Sequence, residues 1–366
     1  MKDEGRKMKK TQKVFLLVAG ARPNFMKVAP IARVFRKRGI PFRLLNTGQH
    51  HDPALSDVFL KQLKLGQPHF NLGVGSGTHA ETTARVLERG EQVLLKLKPR
   101  AVIVVGDVNS TMAMALAASK LHFPVAHVEA GLRSRDPSMP EEVNRILTDR
   151  ISDLLLTPSA DADANLKTEG VSAKKIARVG NVMIDSLVAA LRFTPRPMKE
   201  CFALMTFHRP SNVDSREGLK KLAAFLEKNA AQIPVILPLH PRTKARLQQF
   251  KLWKRLMQVD GLKLTAPMAY FDFVHHMRSA KVVVTDSGGI QEETTHLGVP
   301  CLIMRTTTER PICVERGTAE LMGEDYGKAL RRLRVILDGK WKKPRPIPLW
   351  DGHTAERIVS ALVKKF

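Results

Sequence analysis

The sequence predicts an α/β fold made of two Rossmann-like domains that face each other across a cleft. Short, continuously apolar runs recur along the 366 residues and alternate with amphipathic helical stretches. That pattern belongs to parallel strands covered on both faces. The runs fall into two sets of about six units each, separated by "RFTPRPMKE", Arg192 to Glu200, whose prolines and charges read as a linker. The length suits two domains of ordinary size. The ligand crevice of such a fold lies at the carboxyl ends of the strands, so functional residues are expected just after each run.

The first strand, "VFLLVAG", runs into Gly20-Ala21-Arg22-Pro23, with Lys27 further along the following helix. Arg22 can fork onto an anionic oxygen and Lys27 can add a point charge, although two solvated bases would look the same. The basic segment before this strand imitates a secretory leader. Its apolar run is short for one and leads into "RPNFMK", so a buried first strand is the reading. The second strand, "FRLLNTG", ends in "TGQHHD", Thr47 to Asp52; its two histidines and Asp lack a third ligand at metal spacing, which favours polar loop contacts. "GVGSGTH" is Gly-rich but is read neither as following a clear strand nor as opening a helix, so it is discounted as a dinucleotide fingerprint.

"AVIVVGD" puts Asp107 at a strand tip, and "PVAHVEAG" puts Glu129 at the next. In "MPEEVNR", Pro140 suits the first turn of a helix. Glu141, Asn144 and Arg145 then share one face at i, i+3 and i+4. A carboxylate in a first helical turn also complements the helix dipole, which suffices for Glu142. Glu141 is read as functional because Asp107 and Glu129 converge on the same region. Clustered carboxylates raise one another's pKa, which suits acid and base work near neutral pH. "DLLLTP" completes the first set.

In the second half "FALMTFH" ends at His208 and Arg209, a pair able to hold a diphosphate, and "PVILPLHP" offers His240 and Arg242 in the same style. "LKLTAP" follows, then "KVVVTD", which leads into Ser287, Gly288 and Gly289. Their N–H groups can meet an anion at a helix N-terminus. The Lys-Ser/Thr of a Walker loop and the GxGxxG of a nicotinamide site are both missing, which disfavours ATP hydrolysis and redox chemistry. Glu293, one turn into the helix, is placed for two ribose hydroxyls. After "PCLIM", the segment "RTTTERP" returns Arg310 to the same site. The pieces describe a nucleoside diphosphate whose third component faces the carboxylates of the other domain.

The net charge is +25, from 60 Lys and Arg against 35 Asp and Glu. Clustered bases would suggest nucleic acid, but these are spread over many helices, and the one dense run, "KWKKPRP", reads as a solvated connector. With only 3 Trp and 2 Tyr for stacking, a basic surface around a small anionic ligand is preferred. Cys201, Cys301 and Cys313 form no metal-spaced pair and read as small residues in a reducing cytoplasm. No run approaches the roughly 18 apolar residues of a membrane helix.

Taken together, "GARPNFMKVAP", "GDVNST", "HVEAGLRS", "MPEEVNRILTDRISDLLLTPS", "VGNVMIDSL", "HRPSNVD", "TDSGGIQEET", "LGVPCLIMR" and "TERPICVERGTAELMG" closely resemble the non-hydrolysing UDP-N-acetylglucosamine 2-epimerases, in order, from Lys13 to past Gly323. The resemblance implies a glycosyltransferase-B arrangement: an N-terminal domain (1–190), a UDP-binding domain (201–350) and a C-terminal helix (351–366) returning to the first domain. It also implies a homodimer with no metal or redox cofactor. The implied reaction interconverts UDP-GlcNAc and UDP-ManNAc, by anti elimination of UDP to 2-acetamidoglucal and re-addition on the other face. By position, Asp107, Glu129 and Glu141 match the carboxylates implicated at sugar C2, and His208 matches the histidine near the departing diphosphate. Arg22, Lys27, Ser287, Gly288, Gly289, Glu293 and Arg310 match nucleotide contacts, Phe273 a residue beside the uracil, and Arg145 an active-site arginine. Many members read "GTRPE" and "HRRENLG", so Asn24 and Ser211 replace carboxylates here and leave substrate detail open. Epimerisation of a related sugar, such as a UDP-diacetamido-uronic acid, is the alternative, with a glycosyltransferase behind it.

Overall fold

The computed structural model describes residues 13–48 and 65–366, without the side chains of Arg22, Pro210 and Ser211. Strands β1 (Phe15–Ala19), β2 (Phe42–Asn46), β3 (Phe70–Asn71), β4 (Ala101–Val105), β5 (Val125–Val128), β6 (Leu154–Thr157) and β7 (Ile176–Arg178) form one parallel sheet, in the order β3-β2-β1-β4-β5-β6-β7. Strands β8 (Ala203–Thr206), β9 (Val235–Pro238), β10 (Leu262–Thr265), β11 (Val282–Thr285), β12 (Cys301–Ile303) and β13 (Ala319–Leu321) form a second, in the order β10-β9-β8-β11-β12-β13. Strand order reverses between β1 and β4 and again between β8 and β11, and crevices open at such points.

The apolar runs are continuous because each sheet is covered twice. In β1, Phe15, Leu17 and Ala19 enter one core with the helix Arg22–Lys37, while Leu16 and Val18 enter another with the helices His79–Leu97 and Asn109–Lys120. In the second sheet Ala203 and Met205 face one core, Phe202 and Leu204 the other. Each large apolar side chain among these contributes about 1.5–3 kcal/mol by leaving water. Two-residue β3 and three-residue β7 and β13 carry no long apolar run, so only pairing with a neighbour reveals them.

The glycine-rich "GVGSGTH" corrects one expectation. It does open a helix, His79–Leu97, where Thr78 accepts the Glu81 N–H and Glu81 reaches back to the Thr78 N–H. This reciprocal cap is set by Thr and Glu three apart. The short β3 before it had hidden the βα boundary. Most of "TGQHHD" lies outside the described residues.

The helix Arg22–Lys37 contains Pro30, which lacks the N–H that would bond the Met26 carbonyl. Ser186 Oγ donates to that carbonyl instead, at 2.5 Å, and docks the helix Val182–Leu191 against the first helix. The last helix, Thr354–Lys365, buries Ile358, Val359 and Leu362 in the first domain's core. Its N-terminal amides, Thr354 N and Ala355 N, are taken by Asp185 at 3.1 and 2.7 Å. The chain thus crosses back to the first sheet after building the second. Among the described residues no helix is long and apolar enough to cross a membrane.

Candidate active site

The tips of β4 and β5 and the helix Pro140–Ile151 build one wall of the crevice. Gly106 turns the chain after β4 with φ +68°, a conformation that favours glycine, and Lys27 Nζ would lie 2.8 Å from a Cβ there. The next residue, Asp107, is paired with Arg145. Burial would push its carboxyl up, but the Arg145, Lys27 and Arg310 charges outweigh that and hold it below the usual carboxylate range. Asn144 donates to the Asp107 carbonyl at 2.9 Å, so the i+3 and i+4 residues of the expected helical face both meet Asp107. Glu141, on the same face, is half-buried and has no hydrogen bond or ion pair among the described residues. Glu142 is structural: it accepts the Ser134 and Arg135 N–H groups at 3.0 and 2.8 Å and pairs with Arg145.

Glu129 sits at φ +74°, a conformation costly for a residue with a side chain. Its carboxylate is held by Lys27 on one oxygen and by Arg310 Nη2 on the other, at 2.6 Å. Both cations are buried. Arg310 also meets Glu292 at 2.8 Å and pairs with Glu309. The Glu129–Arg310 contact crosses from the first sheet's domain to the second's. Lys27 and Arg310, expected at the nucleotide, are therefore both engaged by Glu129 in this structure.

The opposite wall comes from the tips of β8, β11 and β12. His208 Nδ1 lies 2.9 Å from Asp286, which also accepts the N–H groups of His208 and Arg209 and the Asn212 amide. Asp286 is fully buried; burial would raise its carboxyl, but His208 and those N–H donors outweigh it and keep it ionised. With Nδ1 occupied, Nε2 is the ring nitrogen of His208 left for another partner. His240 lies close by, with ring centroids 5.9 Å apart, and caps the helix Pro241–Gln249 through Nδ1. Arg242, read in the same style, pairs with Asp214 at the surface.

Ser287, Gly288 and Gly289 form the expected turn, with one correction. The Ser287 N–H is taken by Thr285 Oγ1 at 3.0 Å, leaving Gly288 and Gly289 to open the helix Gly288–Leu297. A Cβ on Gly288 would meet Glu309 at 2.5 Å and Arg310 at 2.9 Å, whereas Gly289 has open space around it. Glu293 is buried and accepts the Tyr270 hydroxyl at 2.7 Å. Burial pushes its carboxyl up to about 7. Phe273 lies one turn beyond Tyr270 on the helix Tyr270–Ser279, half-buried. Burial next to Glu129 likewise raises Glu292.

Sequence reasoning missed one contributor, Arg305. Arg305 follows β12, is buried, bonds Glu309 at 2.9 Å, and keeps Nη1 without a partner among the described residues. Arg209 is pushed below the usual arginine range by burial and by repulsion from Arg305, while Glu141 across the cleft pulls the other way. Crowded cations of this kind invite an anion. The rule that placed His208, that functional groups follow strands, applies equally to Arg305. Asn24, in place of a carboxylate, stitches the first loop to β4. Its oxygen accepts the Gly20 and Ala21 N–H groups at 3.2 and 2.8 Å, and its amide donates to the Val105 carbonyl at 3.0 Å. A carboxylate has no donor for that last bond.

The model of the UDP-N-acetylglucosamine 2-epimerase family matches residues 33–363. The UDP-N-acetylglucosamine 2-epimerase of Methanocaldococcus jannaschii is 39% identical over 361 residues, covering 94% of this chain and 98% of that protein. Its crystal structure in complex with UDP-GlcNAc and UDP superposes with a TM-score of 0.87, over 96% of this chain and 99% of that one. The UDP-2,3-diacetamido-2,3-dideoxy-D-glucuronate 2-epimerase of Pseudomonas aeruginosa is 38% identical, over 95% and 99% of the two chains. Sequence and two-sheet architecture agree, and the chain belongs to the UDP-N-acetylglucosamine 2-epimerase family.

Proposed function

We propose that this protein inverts C2 of UDP-N-acetylglucosamine, giving UDP-N-acetylmannosamine and the reverse. The observation that carries the reading is the pairing of two unlike walls. A cation-rich grip with His208, Arg209 and the Gly288–Gly289 turn faces the carboxylates Asp107 and Glu141, and Glu129 contacts Arg310 between them.

The reaction removes the C2 proton to a carboxylate while the C1–O bond breaks and its electron pair leaves with UDP. The product is enzyme-bound 2-acetamidoglucal. Re-addition returns UDP to C1 and a proton to the other face of C2. His208 Nε2, Arg209 and the helix N-terminus stabilise the departing diphosphate, because preorganised donors cost no reorganisation as charge develops. Asp107 and Glu141 serve the two faces of C2. Glu129 orders Lys27 and Arg310 and must release one of them to take a proton itself. Arg22, Ser287, Phe273 and Glu293 hold the nucleotide, and Arg145 holds Asp107. Closure of domains 1–190 and 201–350, strapped by 351–366, keeps water from the glucal.

Running the reaction in deuterated water tests this: each product molecule should carry deuterium at C2. UDP-ManNAc formed without it would overturn the elimination route. The 38% identity to a diacetamido-uronate epimerase, against 39% to the GlcNAc enzyme, supports a second reading in which a related UDP-sugar is the substrate. The same NMR assay on both sugars decides between them. A cytoplasmic homodimer supplying cell-surface polysaccharide synthesis fits the reading; the exposed apolar residues Val143, Ile146 and Leu147, on one helical face, suit a second copy.

A further inference from the structure

His127 in β5 and Asp149 in the helix Pro140–Ile151 are both buried, and neither is part of the walls described above. The imidazole lies completely out of solvent. Its Nδ1 is 2.6 Å from Asp149 Oδ1, and its Nε2 is 2.8 Å from the carbonyl oxygen of Gly106. Both nitrogens are thus engaged, one by a carboxylate and one by a backbone carbonyl. The other oxygen of Asp149 accepts the Gly131 N–H at 3.0 Å and Arg133 Nη1 at 2.7 Å. Burial would raise the Asp149 carboxyl, but His127 and Arg133 outweigh it and hold it below its ordinary value.

The partners matter because of where they sit. Gly106 directly precedes Asp107 and adopts a left-handed turn. Gly131 follows Glu129 by two residues, and Glu129 itself holds a left-handed conformation at φ +74°. Asp149 lies on the helix that carries Glu141 and Arg145, two turns from Glu141. One buried pair therefore ties together the three elements that present Asp107, Glu129 and Glu141. Other bonds join these elements in pairs, the Gly106 N–H to the Val128 carbonyl at 3.1 Å and the Asn144 amide to the Asp107 carbonyl at 2.9 Å, whereas the His127–Asp149 pair reaches all three. The two strand tips are loops, and loop backbones drift unless hydrogen bonds hold them.

We infer that the His127–Asp149 pair is the positioning device of this active site, holding the Asp107 turn, the Glu129 turn and the Glu141 helix in one register. The inference rests on the epimerase reading. Its physical content is that the pair acts on the geometry of proton transfer at C2 and leaves the grip on UDP, built mainly from the other domain, alone. A displacement near 1 Å at such carboxylates costs about 100-fold in rate.

Three variants separate the bonds. In His127→Asn the amide reaches where Nδ1 was, keeping Asp149 and dropping Gly106. In His127→Gln it reaches where Nε2 was, keeping Gly106 and dropping Asp149. Asp149→Asn retains an oxygen for Gly131 but weakens the bonds to His127 and Arg133. Deuterium exchange at C2, UDP affinity by calorimetry and cooperative melting are measured for each. The expected result is a turnover loss of about 100-fold in Asp149→Asn and in at least one histidine variant, with KM and UDP affinity unchanged. Wild-type exchange in all three overturns the positioning role. So does parallel loss of UDP binding and cooperative melting in all three, which would make the pair a general structural one. A wild-type protein that exchanges no deuterium overturns the epimerase reading instead, and the positioning role with it.

Discussion

At the scale of single residues, Glu141 and Glu293 are carboxylates in unlike environments, one half-buried and unbonded among the described residues, the other buried and bonded to Tyr270. Glu141 is half-buried and has no hydrogen bond or ion pair among the described residues, which suits the proton transfer proposed for it. Glu141→Gln should lower C2 exchange by about 10²–10⁴-fold while UDP binding by calorimetry is unchanged; a fully active variant would remove it from the reaction. Glu293 makes a different prediction. Its carboxyl is pushed from an ordinary 4.5 up to about 7 by burial, against the pull of the Tyr270 hydrogen bond. Between those values the folded protein holds a proton that the unfolded chain has released. This site's contribution therefore falls as pH rises through that window and is flat above it. Glu293→Gln keeps an oxygen for Tyr270 and lacks the ionisation. Melting curves across the window should show the wild type losing stability relative to the variant as pH rises; parallel curves would show that Glu293 ionises freely.

At the scale of elements, the first helix carries a defect that another element repairs. Pro30 leaves the Met26 carbonyl without its helical donor, and Ser186 supplies one from the helix Val182–Leu191. Ser186→Ala strands a buried carbonyl and should cost about 1–3 kcal/mol of stability, read as a lower melting temperature. An unchanged melting temperature would mean that the carbonyl finds another donor. The same two helices and the final one enclose a common core, so this loss should be felt by the whole first domain.

For the whole molecule, one buried contact joins the two sheets' domains and one exposed apolar patch bears on the proposed dimer. Arg310 reaches Glu129 between the two sheets' domains, and both side chains are buried there. Removing one charge of a buried pair leaves the other unsatisfied. Glu129→Gln should open the cleft in ligand-free protein, seen as a larger radius of gyration in X-ray scattering that UDP-GlcNAc reverses. Identical scattering would place the hinge under other control. Exposed Val143, Ile146 and Leu147 lie on the outer face of the helix whose inner face carries Glu141 and Arg145. Ile146→Asp should shift sedimentation from dimer to monomer with the fold intact; a monomeric wild type would remove the dimer from the proposal.

The ten strands written as apolar runs, the Pro140 helix start, the Ser-Gly-Gly turn and the strand-tip positions of Asp107, Glu129 and His208 were all legible in the sequence. Each rests on local physics: a strand buried on both faces must be apolar along its length, proline suits a first helical turn, and strand ends point into the crevice. The repeated strand order of the two sheets left no residue-level trace, because burial needs apolar character rather than particular residues. Strands β3, β7 and β13 are short enough that pairing alone defines them. What only the tertiary structure decided is which charge meets which. Lys27 and Arg310 were read as handles for a phosphate, and the fold brings both to Glu129, one of them from the other domain. The His127–Asp149 pair depends on a contact that no local pattern announces. A side chain's type sets what it can bind; only the folded backbone sets what lies within about 3 Å of it.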